Sequence, residues 1–67
     1  MNLRQARIHA QSLAAAELAA LATRVVEDEV GRYTDVDGRR IATYLRSMAR
    51  AHLRRAAKLR SQEAEDS

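Results

Sequence analysis

The chain has 67 residues, including two glycines and no proline, cysteine or tryptophan, and its formal net charge is +3 at pH 7. A chain this short forms one domain at most and buries only a modest core, so we expect help from a second copy or a partner. Without cysteine there is no disulfide frame and no thiolate zinc site, and the expected compartment is the cytoplasm. No apolar run is long enough to predict a membrane helix.

The first predicted element is a helix over residues 2–31, a segment rich in alanine, leucine, arginine and glutamate. These residue types lose little on entering a helix. Asn2 with Gln5 three positions later predicts a capping box, and Gly31 is placed to end the helix. At helical spacing the apolar side is formed by Ala14, Leu18, Leu21, Ala22, Val25 and Val26, and Leu3, Ile8 and Tyr33 extend it.

A bend is predicted between the two glycines, around residues 33–40, which read YTDVDGRR. The spacing of Asp35, Asp37 and Gly38 resembles the middle of a calcium-binding EF-hand loop. In that register, however, the first carboxylate and the closing glutamate are missing, so we predict no metal site and no cofactor. The preferred interpretation is a helix start, in which Thr34 or Asp35 caps the backbone and Asp37 suits the positive end of the helix dipole.

The second predicted helix covers residues 35–62, and residues 63–67 are expected to form an acidic, disordered tail. Its apolar face contains Ile41, Leu45, Met48, His52, Ala56 and Leu59, flanked by Tyr44 and Leu53. Residues 1–62 are therefore expected to form a single all-α domain, an antiparallel two-helix hairpin that dimerises into a four-helix bundle. Folding about the bend predicts that Val25 lies near Tyr44 and Leu45, Leu21 near Met48, and Leu18 near His52.

The second helix also carries a row of basic side chains, which we call the basic face: Arg39, Arg40, Arg46, Arg50, Arg54 and Lys58. Like charges at this spacing repel one another, so an opposing charge is expected to offset them. One candidate is a polyanion, whether an acidic protein or the phosphates of RNA or DNA. The other is neutralisation within the protein by its acidic residues: Glu17, Glu27, Asp28, Glu29, Asp35, Asp37, Glu63, Glu65 and Asp66.

The chain lacks the residue sets typical of catalysis, and we expect no enzyme activity. His52 is the one residue considered for a functional role, because Glu17 is predicted to lie across from it and to share a hydrogen bond with it. The preferred alternative is a neutral histidine packed at a dimer seam. The predicted function is that of a small protein-binding regulator or adaptor with an acidic partner and no membrane role. The alternative is RNA or DNA binding. Core and dimer contacts are expected from Leu18, Leu21, Val25, Leu45, Met48, His52 and Leu59.

Overall fold

The computed structural model describes residues 1–27 and 33–66 of the chain, which form two α-helices packed against each other as a hairpin. Helix α1 spans Leu3–Val26 and helix α2 spans Asp35–Asp66. The Cα atoms extend over 49 × 18 × 11 Å. Two helices packed side by side form a single layer, so both broad sides of the molecule are open to solvent.

Helix α1 begins as predicted, with a capping box on Asn2. The backbone N–H of Gln5 donates to Oδ1 of Asn2 at 2.8 Å, and the N–H of Asn2 donates to Oε1 of Gln5 at 3.1 Å. The helix ends earlier than predicted, at Val26, with Glu27 as its C-cap. Gly31, which we expected to end it, lies outside the described residues. The shorter α1 changes how the two helices align.

Helix α2 begins at the predicted position and ends later than predicted. Thr34 caps it, because its Oγ1 accepts a hydrogen bond from the backbone N–H of Asp37 at 3.2 Å. Gly38 is not part of the bend; it lies inside α2 and is buried. At the other end α2 continues to Asp66, so the boundary at residue 62 is corrected and residues 63–66 are helical. No proline or glycine stands there to stop the helix.

The two helices meet along a seam of small residues that recur every seven positions. Ile8, Ala15 and Ala22 are buried in α1, and Ala42, Ala49 and Ala56 are buried in α2, and Val25 and Gly38 are also buried. A seven-residue repeat keeps one line of side chains against the partner helix along the whole contact. Because most of these side chains are single methyl groups, the two backbones lie close together. We call this line the alanine seam.

Sequence periodicity identified part of the contact, since Ile8, Ala22, Val25 and Ala56 are buried, but it placed the centre of the contact on larger residues. It missed Ala15, Ala42 and Ala49. Several residues that it assigned to the apolar faces are exposed: Leu3, Val26, Tyr33, Tyr44, Met48 and Leu53. The physical reason is the close contact itself, since side chains of leucine size do not fit between helices that touch through alanine. They lie instead along the edges of the alanine seam.

The alignment of the two helices also differs from the prediction, by one seven-residue repeat. His52 contacts Gln11, where we predicted Leu18. A Cβ added to Gly38 would lie 3.3 Å from the carbonyl oxygen of Val25, which we had placed near Tyr44 and Leu45. Both contacts give the same alignment, and the predicted pairing of Leu21 with Met48 is displaced with them. The early end of α1 accounts for the shift, because it moves the centre of the hairpin toward the N-terminus.

Candidate binding surfaces

The structure places all six side chains of the basic face on the exposed surface of α2. Four of them, from Arg46 to Lys58, recur at every fourth residue and therefore lie on one side of the helix. At 1.5 Å per residue this row is about 18 Å long. Arg39 and Arg40 continue it toward the beginning of α2. The basic face thus runs along most of the length of the helix.

Small side chains separate the basic ones. Thr43, Ser47 and Ala57 lie in the same sector of α2 and are exposed. Thr43 donates its hydroxyl to the backbone carbonyl of Arg39 at 2.9 Å, which holds that side chain close to the helix. Tyr44, which stands between Arg40 and Arg46 in the sequence, lies on a different side of α2, so the basic face contains no aromatic residue. The basic face therefore consists of long charged side chains separated by short uncharged ones.

Among the described residues, the charges of the basic face are not neutralised by ion pairs with acidic side chains of the same chain. There, none of its six side chains forms an ion pair with a carboxylate. Glu17 and Glu27 are exposed on α1. Asp28 and Glu29, also considered as partners, lie outside the described residues. Among the described side chains, no carboxylate is paired with any of these six cationic groups.

A polar contact crosses between the helices beside the alanine seam. The Nδ1 atom of His52 lies 2.5 Å from Oε1 of Gln11, and both side chains are half-buried. An amide oxygen only accepts, so Nδ1 carries the proton and donates it. Farther along, Nη2 of Arg60 donates to Oγ of Ser12 at 3.3 Å. Our prediction of a Glu17–His52 hydrogen bond was wrong, because the one-repeat shift brings Gln11 to that position.

Large apolar side chains collect on one broad side of the hairpin, which we call the open face. Its members are exposed or half-buried: Leu18, Leu21, Ile41, Tyr44, Met48 and Leu59. Helical projection at about 100° per residue places them on the same edge of the seam in both helices. Tyr44 is 75% exposed and Met48 is 49% exposed. The remaining residues expected in the core lie close to this face, with Leu45 half-buried and Val25 buried.

Sequence reasoning found the members of the open face by their apolar periodicity, but it assigned them to the contact between the helices. The signal that would have separated the two is the strict seven-residue recurrence of Ala42, Ala49 and Ala56. Alanine at every repeat is typical of a line of close helix contact. The basic face lies roughly opposite the open face on α2, so the protein presents two chemically different surfaces.

Comparison of the chain with protein-family models, with curated proteins and with solved structures finds no match. Over the described ranges, neither α1 nor α2 contains a stretch apolar and long enough to cross a membrane. Within the same ranges no three His, Asp or Glu side chains come together as a metal site would require. The two surfaces are accordingly interpreted from their own chemistry.

Proposed function

We propose that this protein is a small non-enzymatic regulator or adaptor that binds an acidic protein partner through the basic face. The observation that supports the proposal is the set of six exposed cationic side chains along one helix, none of them in an ion pair with a described carboxylate. Like charges at this spacing repel, so a negatively charged partner lowers the free energy of the folded chain as it binds. The proposal includes a homodimer in which two hairpins form a four-helix bundle.

The shape of the basic face favours a protein segment over a nucleic acid. Short side chains such as Thr43 and Ser47 between the arginines allow the backbone of a partner helix to come close while its carboxylates reach the guanidinium groups. Arginine binds a carboxylate through two parallel N–H···O bonds, which orients the partner as well as attracting it. Single-stranded nucleic acids are usually bound with aromatic side chains that stack on the bases, and the basic face has none.

RNA or DNA remains the rival ligand, because phosphates also match a row of guanidinium groups. The two ligands respond differently to salt. Phosphate binding releases condensed counterions, so the logarithm of the affinity falls linearly with the logarithm of salt, with a slope of about −0.9 per phosphate neutralised on duplex DNA. A protein interface loses less with salt and concentrates its loss in a few residues when they are changed to alanine.

The test measures fluorescence anisotropy with three labelled probes: a glutamate-rich helical peptide, a mixed-sequence single-stranded RNA and a duplex DNA. The variant Arg50→Gln/Arg54→Gln is compared with Arg24→Gln/Arg60→Gln, which also lowers the net charge from +3 to +1 but leaves the basic face intact. We expect the first pair to weaken peptide binding about tenfold and the second to change it much less.

Each outcome of this comparison has a defined interpretation. Peptide binding that depends on Arg50 and Arg54 supports the proposed function. Tight RNA or DNA binding that collapses as salt rises, without peptide binding, replaces the acidic protein with a nucleic acid. If no probe binds even at low salt, or if the two variants weaken binding equally, the basic face is not a specific binding surface and the proposal fails.

A further inference from the structure

The chain as a whole exposes more surface than a self-contained protein of this size would. The accessible surface is 5118 Å² for a mass of 7.5 kDa. A compact monomer of that mass exposes about 4,200 Å². The excess of about 900 Å² is close to the roughly 800 Å² that each partner buries in a standard interface. The excess in total accessible surface is therefore of the size that contact with one further copy of the chain would bury.

Charged residues lie at both ends of the open face, and their signs differ. Arg55 follows Ile41 and Met48 at seven-residue intervals, so it lies on the same side of α2, toward the open end of the hairpin. Arg7 occupies the corresponding place in α1, two repeats before Leu21. The alignment of the helices puts Arg7 and Arg55 at nearly the same level, where they form a basic pair. The side chains of Arg7 and Arg55 are both exposed.

The end of the open face near the bend is acidic. Asp37 lies one turn before Ile41 and therefore on the same side of α2. Its side chain is exposed. The face therefore carries positive charge at one end, large apolar residues in the middle and negative charge at the other end. Such a pattern complements itself when a second copy is turned end to end.

We propose that the open face binds the same face of a second copy, with the two hairpins running in opposite directions. A two-fold axis across the helices then pairs α2 with α2 of the second copy and brings Arg55 of one chain to Asp37 of the other. The midpoint of these two residues in α2 is residue 46. About that point Met48 of each copy meets Tyr44 of the other, a favourable contact between a thioether and an aromatic ring.

The other two-fold arrangement, with the hairpins side by side in the same direction, is electrostatically unfavourable. It places α1 of one copy over α2 of the other at equal levels, so Arg7 meets Arg55. Like charges brought together at an interface oppose association. In the end-to-end arrangement, by contrast, the two basic faces point away from each other on the outside of the four-helix bundle. The dimer then offers two binding surfaces to acidic partners.

This inference specifies the homodimer of the proposed function, and it stands or falls separately from what the basic face binds. The natural absence of cysteine allows single cysteines to be placed without background. Arg55→Cys and Asp37→Cys chains, each with a different tag, are mixed, allowed to exchange and treated with a short bis-maleimide. Arg55→Cys and Arg7→Cys chains are treated in the same way. Leu13→Cys, which is exposed away from the open face, measures random collision.

We expect cross-linking between Arg55→Cys and Asp37→Cys chains well above the Leu13→Cys background, and none above it between Arg55→Cys and Arg7→Cys chains. The opposite result would establish the side-by-side arrangement and overturn the proposal. Light scattering supplies the second measurement. The unmodified chain should have twice its mass of 7.5 kDa. Met48→Glu should return it to the single mass, whereas Leu13→Glu should not.

A single-chain mass for the unmodified protein at high concentration would refute the dimer. Equal effects of Met48→Glu and Leu13→Glu would refute the assignment of the open face as its interface. Neither result bears on peptide binding by Arg50 and Arg54, which is measured on the opposite side of α2. Failure of the dimer and failure of the proposed function are therefore distinguishable.

Discussion

The alanine seam makes a sharp prediction, because it depends on side chains that stay small. We consider Ala49→Leu. Ala49 is 6% exposed and, by the alignment of the helices, lies level with Ala15, which is 3% exposed. Two methyl groups that meet in this way leave no room for a larger side chain. A leucine at position 49 must push α1 and α2 apart or adopt a strained side-chain conformation.

The magnitude follows from the packing of a small core. Inserting methylene groups into a well-packed contact costs about 1–3 kcal/mol. A domain of this length has a total stability of roughly 3–10 kcal/mol, taken as about 0.05–0.15 kcal/mol per residue. The substitution therefore removes a large part of the stability of the hairpin. Since 1 kcal/mol shifts Tm by about 4–8 °C in a domain of this size, a loss of 2 kcal/mol lowers Tm by about 10 °C.

Ala57→Leu is the matched control, because Ala57 is an exposed alanine in the same helix. Alanine and leucine have similar helix propensities, so this change should alter the free energy of unfolding by less than about 0.5 kcal/mol. Both variants are unfolded with urea at one fixed chain concentration, and helix content is followed by circular dichroism at 222 nm. If Ala49→Leu is as stable as Ala57→Leu, the helices do not meet through alanine and the described seam is wrong.

Three further predictions test the ends and the alignment of the helices. Thr34→Ala should destabilise the protein by about 1 kcal/mol, because the α2 cap is lost. The hydroxyl of Thr43 bonds only within the helix, so Thr43→Ala should cost clearly less in the same urea experiment. Equal losses from the two changes would contradict the cap. Gly38→Leu should cost more than 1 kcal/mol in thermal unfolding, because its side chain meets the end of α1, and an unchanged Tm would mean that the helices do not come close there. Gln11→Leu should leave Nδ1 of the half-buried His52 without its acceptor and lower the free energy of unfolding by about 1–3 kcal/mol. Adding His52→Leu should recover most of that loss. Additive losses in the double-mutant cycle would exclude the hydrogen bond.

The sequence by itself determined the local features of this fold. The absence of proline and the clustering of helix-forming residues predicted two helices. The predicted cap at Asn2 is present, and Thr34, one of the two residues predicted to cap the second helix, is its cap. Caps are readable because donor and acceptor lie within a few residues of each other in the chain. The basic face was readable for the same reason, since side chains four residues apart on a helix are always neighbours.

Only the tertiary structure decided which side of each helix turns inward and how far the helices are displaced along each other. Hydrophobicity ranks leucine and methionine above alanine, so the pattern in the sequence pointed to Met48 rather than to Ala49. In the structure Ala49 is buried and Met48 is exposed, because the close contact of the backbones excludes large side chains from the alanine seam. The alignment was ambiguous for a second reason: a pattern that repeats every seven residues looks the same after a shift of seven. The end of α1 at Val26 and the contact of Gln11 with His52 select one alignment among these equivalents.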